Sequence, residues 1–310
     1  MTFKSNPLVS IIINCYNGEK FLKESLESIL FQTYPFFEVI FWDNKSIDNS
    51  KKIFKSIIDK RFKYFLALNH TSLGEARNRA IKQANGELIA FLDCDDLWFS
   101  TKLEEQIPFF EKKSVGIVIC DTLFFNENRV IKQLYKKKPP PTGKVFSELL
   151  TQYYISLETV IIRKSALETL SEWFDSRFDV IEEFDLFVRI SYQWELEYVN
   201  KVLSKWRVHN KSLTWQKPEL FPFETNLFIN KIIRLYPNIK IDFEEELNIL
   251  KANVSIDKAL IFWKKNERKK AIKSIRPYLY KRRRATLIYF FIKIFGTKIF
   301  FLVYNIRKGL

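Results

Sequence analysis

Three carboxylates lie within four residues of the chain, at Asp93, Asp95 and Asp96, directly after an apolar run at residues 88–92. Carboxylates this close repel one another unless a cation or solvent relieves the repulsion. Their hard oxygen atoms suit Mg²⁺ or Mn²⁺, which proteins usually share with the phosphates of a substrate. The segment therefore predicts a divalent-cation site, with a solvated acidic turn as the alternative.

Apolar, β-branched runs alternate with amphipathic helical segments through the first half of the chain. The predicted strands lie at residues 9–14, 39–42, 64–68, 88–92, 115–120 and 159–163, and residues 75–84 form the clearest helix. This alternation is typical of a mostly parallel α/β sheet, in which ligands bind beyond the carboxyl ends of the strands. Residues 136–143, KKKPPPTG, are predicted to form a loop because of their three prolines.

Four segments of the chain carry motifs in a fixed order. Residues 11–17 form an apolar strand that ends in a Tyr-Asn pair, and residues 43–48 form part of an acidic turn. Residues 74–81 contain Gly and Ala-Arg-Asn, and residues 86–96 read G-E-x-I-x-F-L-D-x-D-D. Together these segments resemble the motifs of family 2 glycosyltransferases, which have the GT-A fold. The resemblance implies an inverting enzyme of the bacterial surface-polysaccharide type, with the Rossmann-like sheet of nucleotide-diphospho-sugar transferases.

This resemblance implies a donor site on the same segments. Tyr16 and Asp43 would contact the nucleobase, with Asp43 accepting a hydrogen bond from the uracil imide, and Asn17 would also bind the donor nucleotide. Arg77 resembles the nucleotide-binding arginine of the family, and Asp93 would approach the ribose of the donor.

The resemblance also implies a cofactor, Mn²⁺ or Mg²⁺, held by Asp95 with Asp93 and Asp96 beside it. The cation would stabilise the charge that the leaving nucleoside diphosphate gains. His209, in a segment similar to the family's Y-R-x-H-x-x-S, would complete the metal sphere or touch the diphosphate, with a surface histidine of no role as the alternative. His70 has no counterpart in the resemblance and is expected to be structural.

A catalytic base is expected near residue 183. An inverting transfer is a single displacement, so a carboxylate must deprotonate the acceptor hydroxyl. Glu182, Glu183 and Asp185 begin a segment similar to the family's E-D-x-D-L-x-x-R helix start. In this register Glu183 takes the place of the catalytic Asp, and Glu182 and Asp185 are the alternatives. Acidic residues also favour helix N-termini electrostatically, so one of the three is expected to serve only the helix.

Positive charge is concentrated near the C-terminus. Of 51 Lys and Arg residues, 17 lie in residues 251–310, against only 2 of the 36 Asp and Glu residues. Residues 285–305 are rich in Phe, Ile and Leu, but Lys293 and Lys298 make bilayer spanning nearly neutral in free energy. We expect residues 281–310 to lie on an anionic membrane surface, with a spanning or a buried helix as alternatives. A nucleic-acid partner is not expected.

The sequence thus predicts a GT-A domain at residues 1–218 and a helical, membrane-associating region at residues 219–310. An odd number of cysteines and no signal-peptide pattern indicate the cytoplasm, at the inner face of the cell membrane. The expected activity is transfer of a hexose from a nucleotide-diphospho-sugar, with UDP favoured, to a glycan or lipid-linked glycan in cell-surface polysaccharide synthesis. The alternatives are a nucleotidyltransferase-like enzyme and a non-catalytic homologue that binds nucleic acid or membrane.

Overall fold

Four parallel strands form the first part of the sheet in the computed structural model, which describes residues 6–209 and 217–295. They are β1 (Val9–Cys15), β2 (Phe37–Asp43), β3 (Phe62–Leu66) and β4 (Leu88–Phe91), in the spatial order β3-β2-β1-β4. Every residue of β1 and β2 is buried, as in parallel sheets that are covered on both faces. The four strands confirm the α/β alternation predicted from the sequence.

Helices α1 (Leu22–Leu30), α2 (Ser50–Lys55) and α3 (Leu73–Ile81) connect these strands. Helix α3 begins after Ser72, whose hydroxyl accepts a hydrogen bond from the Glu75 backbone N–H at 3.4 Å. The chain then passes so close to β1 that a Cβ on Gly86 would lie 2.6 Å from the backbone nitrogen of Ser10. Glycine at this position therefore lets β4 start beside β1.

The second part of the sheet is mixed. Its strands are β5 (Leu97–Trp98), β6 (Val115–Phe125), β7 (Val130–Gln133), β8 (Ile161–Arg163) and β9 (Glu195–Arg207). Strand β8 runs antiparallel between β4 and β6, and β9 runs parallel to β6. The accompanying helices are α4 (Lys102–Gln106), α5 (Phe146–Thr151), α6 (Lys164–Glu168) and α7 (Glu182–Ser191), with 3₁₀ turns at Ile107–Glu111 and Leu157–Thr159.

The sequence did not predict β5, β7 or β9. The predicted loop is confirmed, since residues 134–142 contain neither helix nor strand. It ends at Gly143, which has a φ of +83° and whose N–H donates to the carbonyl of Leu196 at 2.7 Å. A positive φ suits glycine because it has no Cβ.

The chain divides into two units, Met1–Ser212 and Leu213–Leu310. The functional boundary expected at residue 218 stays a prediction. The described part of the second unit is helical, with α8 (Leu220–Leu235), α9 (Ile239–Asp242), α10 (Glu244–Lys264), α11 (Arg268–Ile275) and α12 (Arg283–Ile294), and a 3₁₀ turn at Arg276–Tyr278. Helices α10, α11 and α12 share an apolar core around Ile256, Trp263, Ile275 and Ile292.

Among the described residues, no helix has both the length and the apolar character that crossing a bilayer requires. The predicted membrane-binding segment, residues 281–310, includes α12, whereas residues 296–310, including Lys298, lie outside the described residues.

Candidate active site

The loops that follow β1 and β2 are held together by Asn17. Its side-chain oxygen accepts from the backbone N–H of Ile47 at 2.9 Å, and its own backbone N–H donates to the Ser46 hydroxyl at 3.0 Å. Asn17 and Lys45 both have positive φ values, 55° and 74°. Asn17, which the resemblance places at the donor nucleotide, thus also holds the shape of this turn.

Asp43 ends β2 and lies almost entirely within the protein. One carboxylate oxygen accepts from the Ser46 N–H at 2.7 Å, and the other accepts from the Tyr64 hydroxyl at 2.6 Å. Burial, followed by this hydrogen bond, raises the pKa of Tyr64 above its usual value. Each carboxylate oxygen has a second lone pair, so Asp43 retains capacity for a further donor at either oxygen. The Tyr64 contact was not predicted, because it depends on the pairing of β2 with β3.

Tyr16 and His70 form a small aromatic surface at this edge. Their ring centroids are 4.2 Å apart, and Tyr16 is 50% exposed. His70 is held in turn by a 3.0 Å hydrogen bond between its Nδ1 and the carbonyl oxygen of Asn44. The sequence predicted a structural role for His70, and the structure adds that it supports the ring expected to contact the base.

Arg77 joins two acidic segments that are far apart in the sequence. Its Nη1 donates to Oε1 of Glu182 at 2.8 Å, and its Nη2 donates to Oδ1 of Asp93 at 3.1 Å. The guanidinium is buried, which by itself disfavours its charge, but Asp93 and Glu182 raise the pKa of Arg77 above its ordinary value. The pKa of Asp93 is raised by burial, against the opposing effect of Arg77. This ion-pair network brings the acidic segment after β4 to the start of α7.

Asp95 lies next to His209. The Asp95 Oδ2 and the His209 Nε2 are 2.7 Å apart, and both side chains are partly exposed. The ring of Phe21 packs against His209, with centroids 5.4 Å apart. Two members of the predicted metal set, 114 residues apart in the chain, are therefore neighbours in space.

Asp96 occupies a different environment. It is 2% exposed, and its Oδ1 accepts from the backbone N–H of Arg207 at 2.7 Å. Burial, then the negative charges of Asp95 and Glu158, raise the pKa of Asp96 well above the usual range. Arg207 also donates from Nε to the carbonyl of Asp95 at 2.8 Å. In the structure Asp96 thus anchors the end of β9 to the acidic segment.

The three base candidates at the start of α7 differ in their surroundings. Glu182 is buried against Arg77, and Asp185 is fully buried and forms a 2.7 Å ion pair with Arg189. Glu183 is partly exposed. Burial, then the neighbouring charge of Glu182, raises the pKa of Glu183 to about 8. Of the three, Glu183 alone combines solvent access with a pKa suited to proton transfer near neutral pH.

The residues available for a divalent cation are Asp95 and His209. Among the side chains the structure describes, no group of three His, Cys, Asp or Glu residues forms a metal site. Mg²⁺ is commonly held by one or two protein ligands together with the phosphates of a substrate and water. A carboxylate and an imidazole at 2.7 Å, with access to solvent, fit such a shared site.

The chain is similar to a known protein family and to characterised relatives. The chain matches the family model described as glycosyl transferase family 2 over residues 10–171. The UDP-Glc:alpha-D-GlcNAc-diphosphoundecaprenol beta-1,3-glucosyltransferase WfgD of Escherichia coli is 30% identical over 212 residues, which are 68% of this chain and 81% of WfgD.

Two solved structures share the fold. Residues 1–349 of S. aureus TarS, in complex with UDP-GlcNAc, superpose with a TM-score of 0.69 at 19% identity, covering 97% of this chain and 92% of that one. The mannosyltransferase PcManGT of Pyrobaculum calidifontis, in complex with GDP-Man and Mn²⁺, has a TM-score of 0.61 at 17% identity, covering 91% and 78% of the two chains. The GT-A fold and the family predicted from the sequence are confirmed: the chain belongs to glycosyl transferase family 2.

Proposed function

We propose that the protein is an inverting glycosyltransferase that uses a UDP-sugar and acts on a lipid-diphosphate-linked glycan during cell-surface polysaccharide synthesis. The family membership supports sugar transfer over the nucleotidyltransferase alternative. The donor and acceptor classes are supported by the printed activity of WfgD, which is similar over most of its length.

The observation that carries this proposal is the double contact of Arg77. Its guanidinium reaches Asp93, on the donor side, and Glu182, the neighbour of Glu183. In this proposal the groups that bind the donor and the group that deprotonates the acceptor are parts of one site. Arg77 holds the two groups at a fixed distance from each other.

In the proposed reaction Glu183 accepts the proton of the acceptor hydroxyl. The acceptor oxygen forms a bond to the anomeric carbon of the sugar, and the bond from that carbon to the diphosphate breaks. The UDP that leaves takes the bonding electron pair. Because the acceptor oxygen attacks from the face opposite the leaving diphosphate, the configuration at the anomeric carbon inverts. Tyr16 contacts the uracil ring, and Asp43 accepts from its imide N–H.

We assign Mn²⁺ or Mg²⁺ to Asp95 and His209, with Asp93 and Asp96 on either side of Asp95 in the chain. When bound there, the cation supplies positive charge that stabilises the leaving diphosphate. Asp93 remains in its ion pair with Arg77, and Asp96 in its hydrogen bond to the β9 backbone.

The experiment that tests this function is a screen of UDP-, GDP-, dTDP- and CMP-sugars for binding and slow hydrolysis, with Mn²⁺ or with EDTA. The wild type is compared with Asp95→Ala and with Asp242→Asn, which removes an exposed acid in the second unit. We expect metal-dependent release of UDP by the wild type and the Asp242 variant and a loss in the Asp95 variant. If the wild type binds none of these nucleotide sugars, the proposal is wrong.

We further infer that α12 attaches the protein to the inner face of the cell membrane. Leu287, Phe290, Phe291 and Ile294 are between 41% and 67% exposed, and Arg283 and Arg284 begin the same helix. Apolar side chains beside basic ones favour binding to anionic lipid.

Sedimentation with phosphatidylglycerol vesicles tests this attachment. We expect the wild type to bind them and to bind phosphatidylcholine vesicles much less. Phe291→Ser should weaken binding, whereas Ile241→Ser, which changes an exposed residue of α9, should not. Equal losses in the two variants would contradict the assignment to α12.

A further inference from the structure

A cavity of about 970 Å³ opens in the first unit, apart from the donor groups described above. Its walls are residues 130–141, which comprise β7 and the following Lys–Pro loop, together with Glu148 and residues 151–154 at the end of α5. This volume lies within the range of about 300–1,000 Å³ that is typical of ligand sites. None of the residues assigned to nucleotide, metal or proton transfer lines it.

The cavity is strongly basic. Lys132, Lys136, Lys137 and Lys138 line it, and Glu148 is the one acidic side chain in its wall. All four lysines are exposed, and the ammonium of Lys132 lies 4.2 Å from the centroid of the Phe124 ring. A concave surface of one charge sign concentrates ligands of the opposite sign. A multiply charged anion is therefore the ligand class that this cavity favours.

The rest of the wall is apolar and aromatic. Val130 and Ile131 are 55% and 43% exposed at the rim. Tyr135 and Tyr154 are committed to the protein, since Tyr135 donates to the Tyr154 carbonyl at 2.6 Å and Tyr154 donates to the Pro141 carbonyl at 3.2 Å. Tyr135 is only 9% exposed, so its ring offers no open face for stacking an unpaired nucleobase. The exposed apolar rim favours a phosphate group carried on an apolar chain over a nucleic acid.

Tyr153 connects the cavity to the proposed base. It lines the cavity, and its ring packs edge-on against Phe184, the residue after Glu183, with centroids 5.2 Å apart. The Tyr153 hydroxyl is buried and has no hydrogen-bond partner among the residues described. A buried hydroxyl left without a partner is costly, so a polar group of a ligand would be favoured there. Burial and the charge of Glu183 raise the pKa of Tyr153, in keeping with this closeness.

We propose that this cavity binds the diphosphate of an isoprenoid-diphosphate-linked acceptor, with Lys136, Lys137 and Lys138 pairing with the phosphates. The sugar attached to that diphosphate then lies toward Tyr153 and Glu183. The inference rests on the proposed function for the identity of the acceptor, and it assigns to that acceptor a site distinct from the donor diphosphate site.

Binding of farnesyl diphosphate, a short isoprenoid diphosphate, tests the assignment. Calorimetry is carried out on the full chain with EDTA, which suppresses metal-dependent binding of the probe at the donor site. The cavity variant is Lys136→Gln/Lys137→Gln/Lys138→Gln. The control variant, Lys52→Gln/Lys55→Gln/Lys60→Gln, removes three exposed charges from and near α2. Thermal unfolding checks that both variants fold.

We expect the cavity variant to bind farnesyl diphosphate at least tenfold more weakly and the control to change less than twofold. Farnesol, which lacks the phosphates, should bind far more weakly than farnesyl diphosphate. Equal losses in the two variants would overturn the inference, because general charge would then explain binding. Inorganic pyrophosphate binding as tightly as farnesyl diphosphate would overturn the lipid assignment, and so would tighter binding of a single-stranded oligonucleotide.

Failure of the proposed function has a different signature. UDP binding with Mn²⁺, measured separately, should be the same in the wild type and the cavity variant. A wild type that binds farnesyl diphosphate through the cavity lysines but binds no nucleotide sugar would contradict the proposed function and leave the anion site in place.

Discussion

The guanidinium of Arg77 donates to the carboxylate of Glu182 at 2.8 Å, although 105 residues separate them in the chain. Both side chains are almost fully buried. The Nη2 of the same guanidinium donates to Asp93. Arg77 therefore sets the distance between the end of β4 and the start of α7.

Arg77→Met should therefore destabilise the fold as well as abolish transfer. Removing one member of a buried ion pair costs about 3–5 kcal/mol, since the partner loses its counter-charge. Urea unfolding measures this loss of stability, and the sugar-transfer assay measures the loss of activity.

Arg79→Met is the matched control for that variant. Arg79 lies two residues along α3 and forms a partly exposed pair with Glu75 at 2.8 Å, which should contribute at most about 1 kcal/mol. The double variant Arg77→Met/Glu182→Gln should regain part of the stability, because the buried carboxylate is then neutral. No regain would contradict the ion-pair explanation.

The activity of the enzyme should rise with pH through the pKa of Glu183. Burial raises this pKa to about 8, so the carboxyl is mostly protonated at pH 7 and cannot accept a proton. As the pH rises through 8 the carboxylate forms, and kcat/KM should increase and then level off. A profile of kcat/KM between pH 6 and 10 provides the measurement.

Glu183→Gln should lower kcat by about 10²–10⁴-fold at every pH, the usual contribution of a general base. Glu168→Gln, on the exposed side of α6, should leave both the rate and its pH profile unchanged.

The raised pKa of Glu183 also affects the stability of the protein. The stability that the neutral carboxyl contributes is lost as the pH rises from the pKa of this group in the unfolded chain toward 8. This decline should be absent in Glu183→Gln, and a decline of wild-type size would contradict the raised pKa.

The sequence predicted the buried strands well because their signal is local. Residues 9–14 and 115–120 are β-branched, apolar runs, and such runs need little context. Strand β9 was not predicted because Glu195–Arg207 contains five charged residues among apolar ones. Only some of its residues are buried, so the strand lacks a continuous apolar run. Parallel pairing with β6 stabilises β9, and the local sequence does not reveal this pairing.

The residues of the candidate site could be predicted where a sequence motif contains them. The tertiary contacts between these residues could not be predicted. Asp95 and His209 were named from their segments, and the structure brings them together. The Arg77–Glu182 pair and the Tyr64–Asp43 hydrogen bond join segments by chain folding alone, so no spacing in the sequence could indicate them.

Tyr16→Ala should weaken UDP binding without unfolding the protein. Tyr16 is half exposed, so little core packing is lost, whereas stacking of a base on an aromatic ring contributes about 1–3 kcal/mol. The expected rise in Kd is about 5- to 150-fold, measured by calorimetry with Mn²⁺. Tyr16→Phe keeps the ring and should bind UDP nearly as well as the wild type. A similar loss in both variants would instead assign the effect to the hydroxyl.

Lys102 should make the stability of the protein depend on pH in the alkaline range. It is fully buried, with its ammonium 3.2 Å from the carbonyl of Thr159 and 4.6 Å from the centroid of the Trp98 ring. Burial lowers the pKa of Lys102 to about 8, against the opposing charges of Cys120 and Glu158. The folded state therefore favours the neutral amine.

For a lysine with a depressed pKa, the stabilisation is complete above the unfolded value and is lost as pH falls through the folded value. Wild-type stability should accordingly gain up to about 3 kcal/mol, relative to Lys102→Met, between pH 7 and pH 10.5. Urea unfolding of both proteins at several pH values measures the difference, in which other titrating groups cancel. Lys82→Met, an exposed change on the same unit, should follow the wild-type curve. A constant difference between the wild type and Lys102→Met would show that Lys102 titrates alike in the folded and unfolded states.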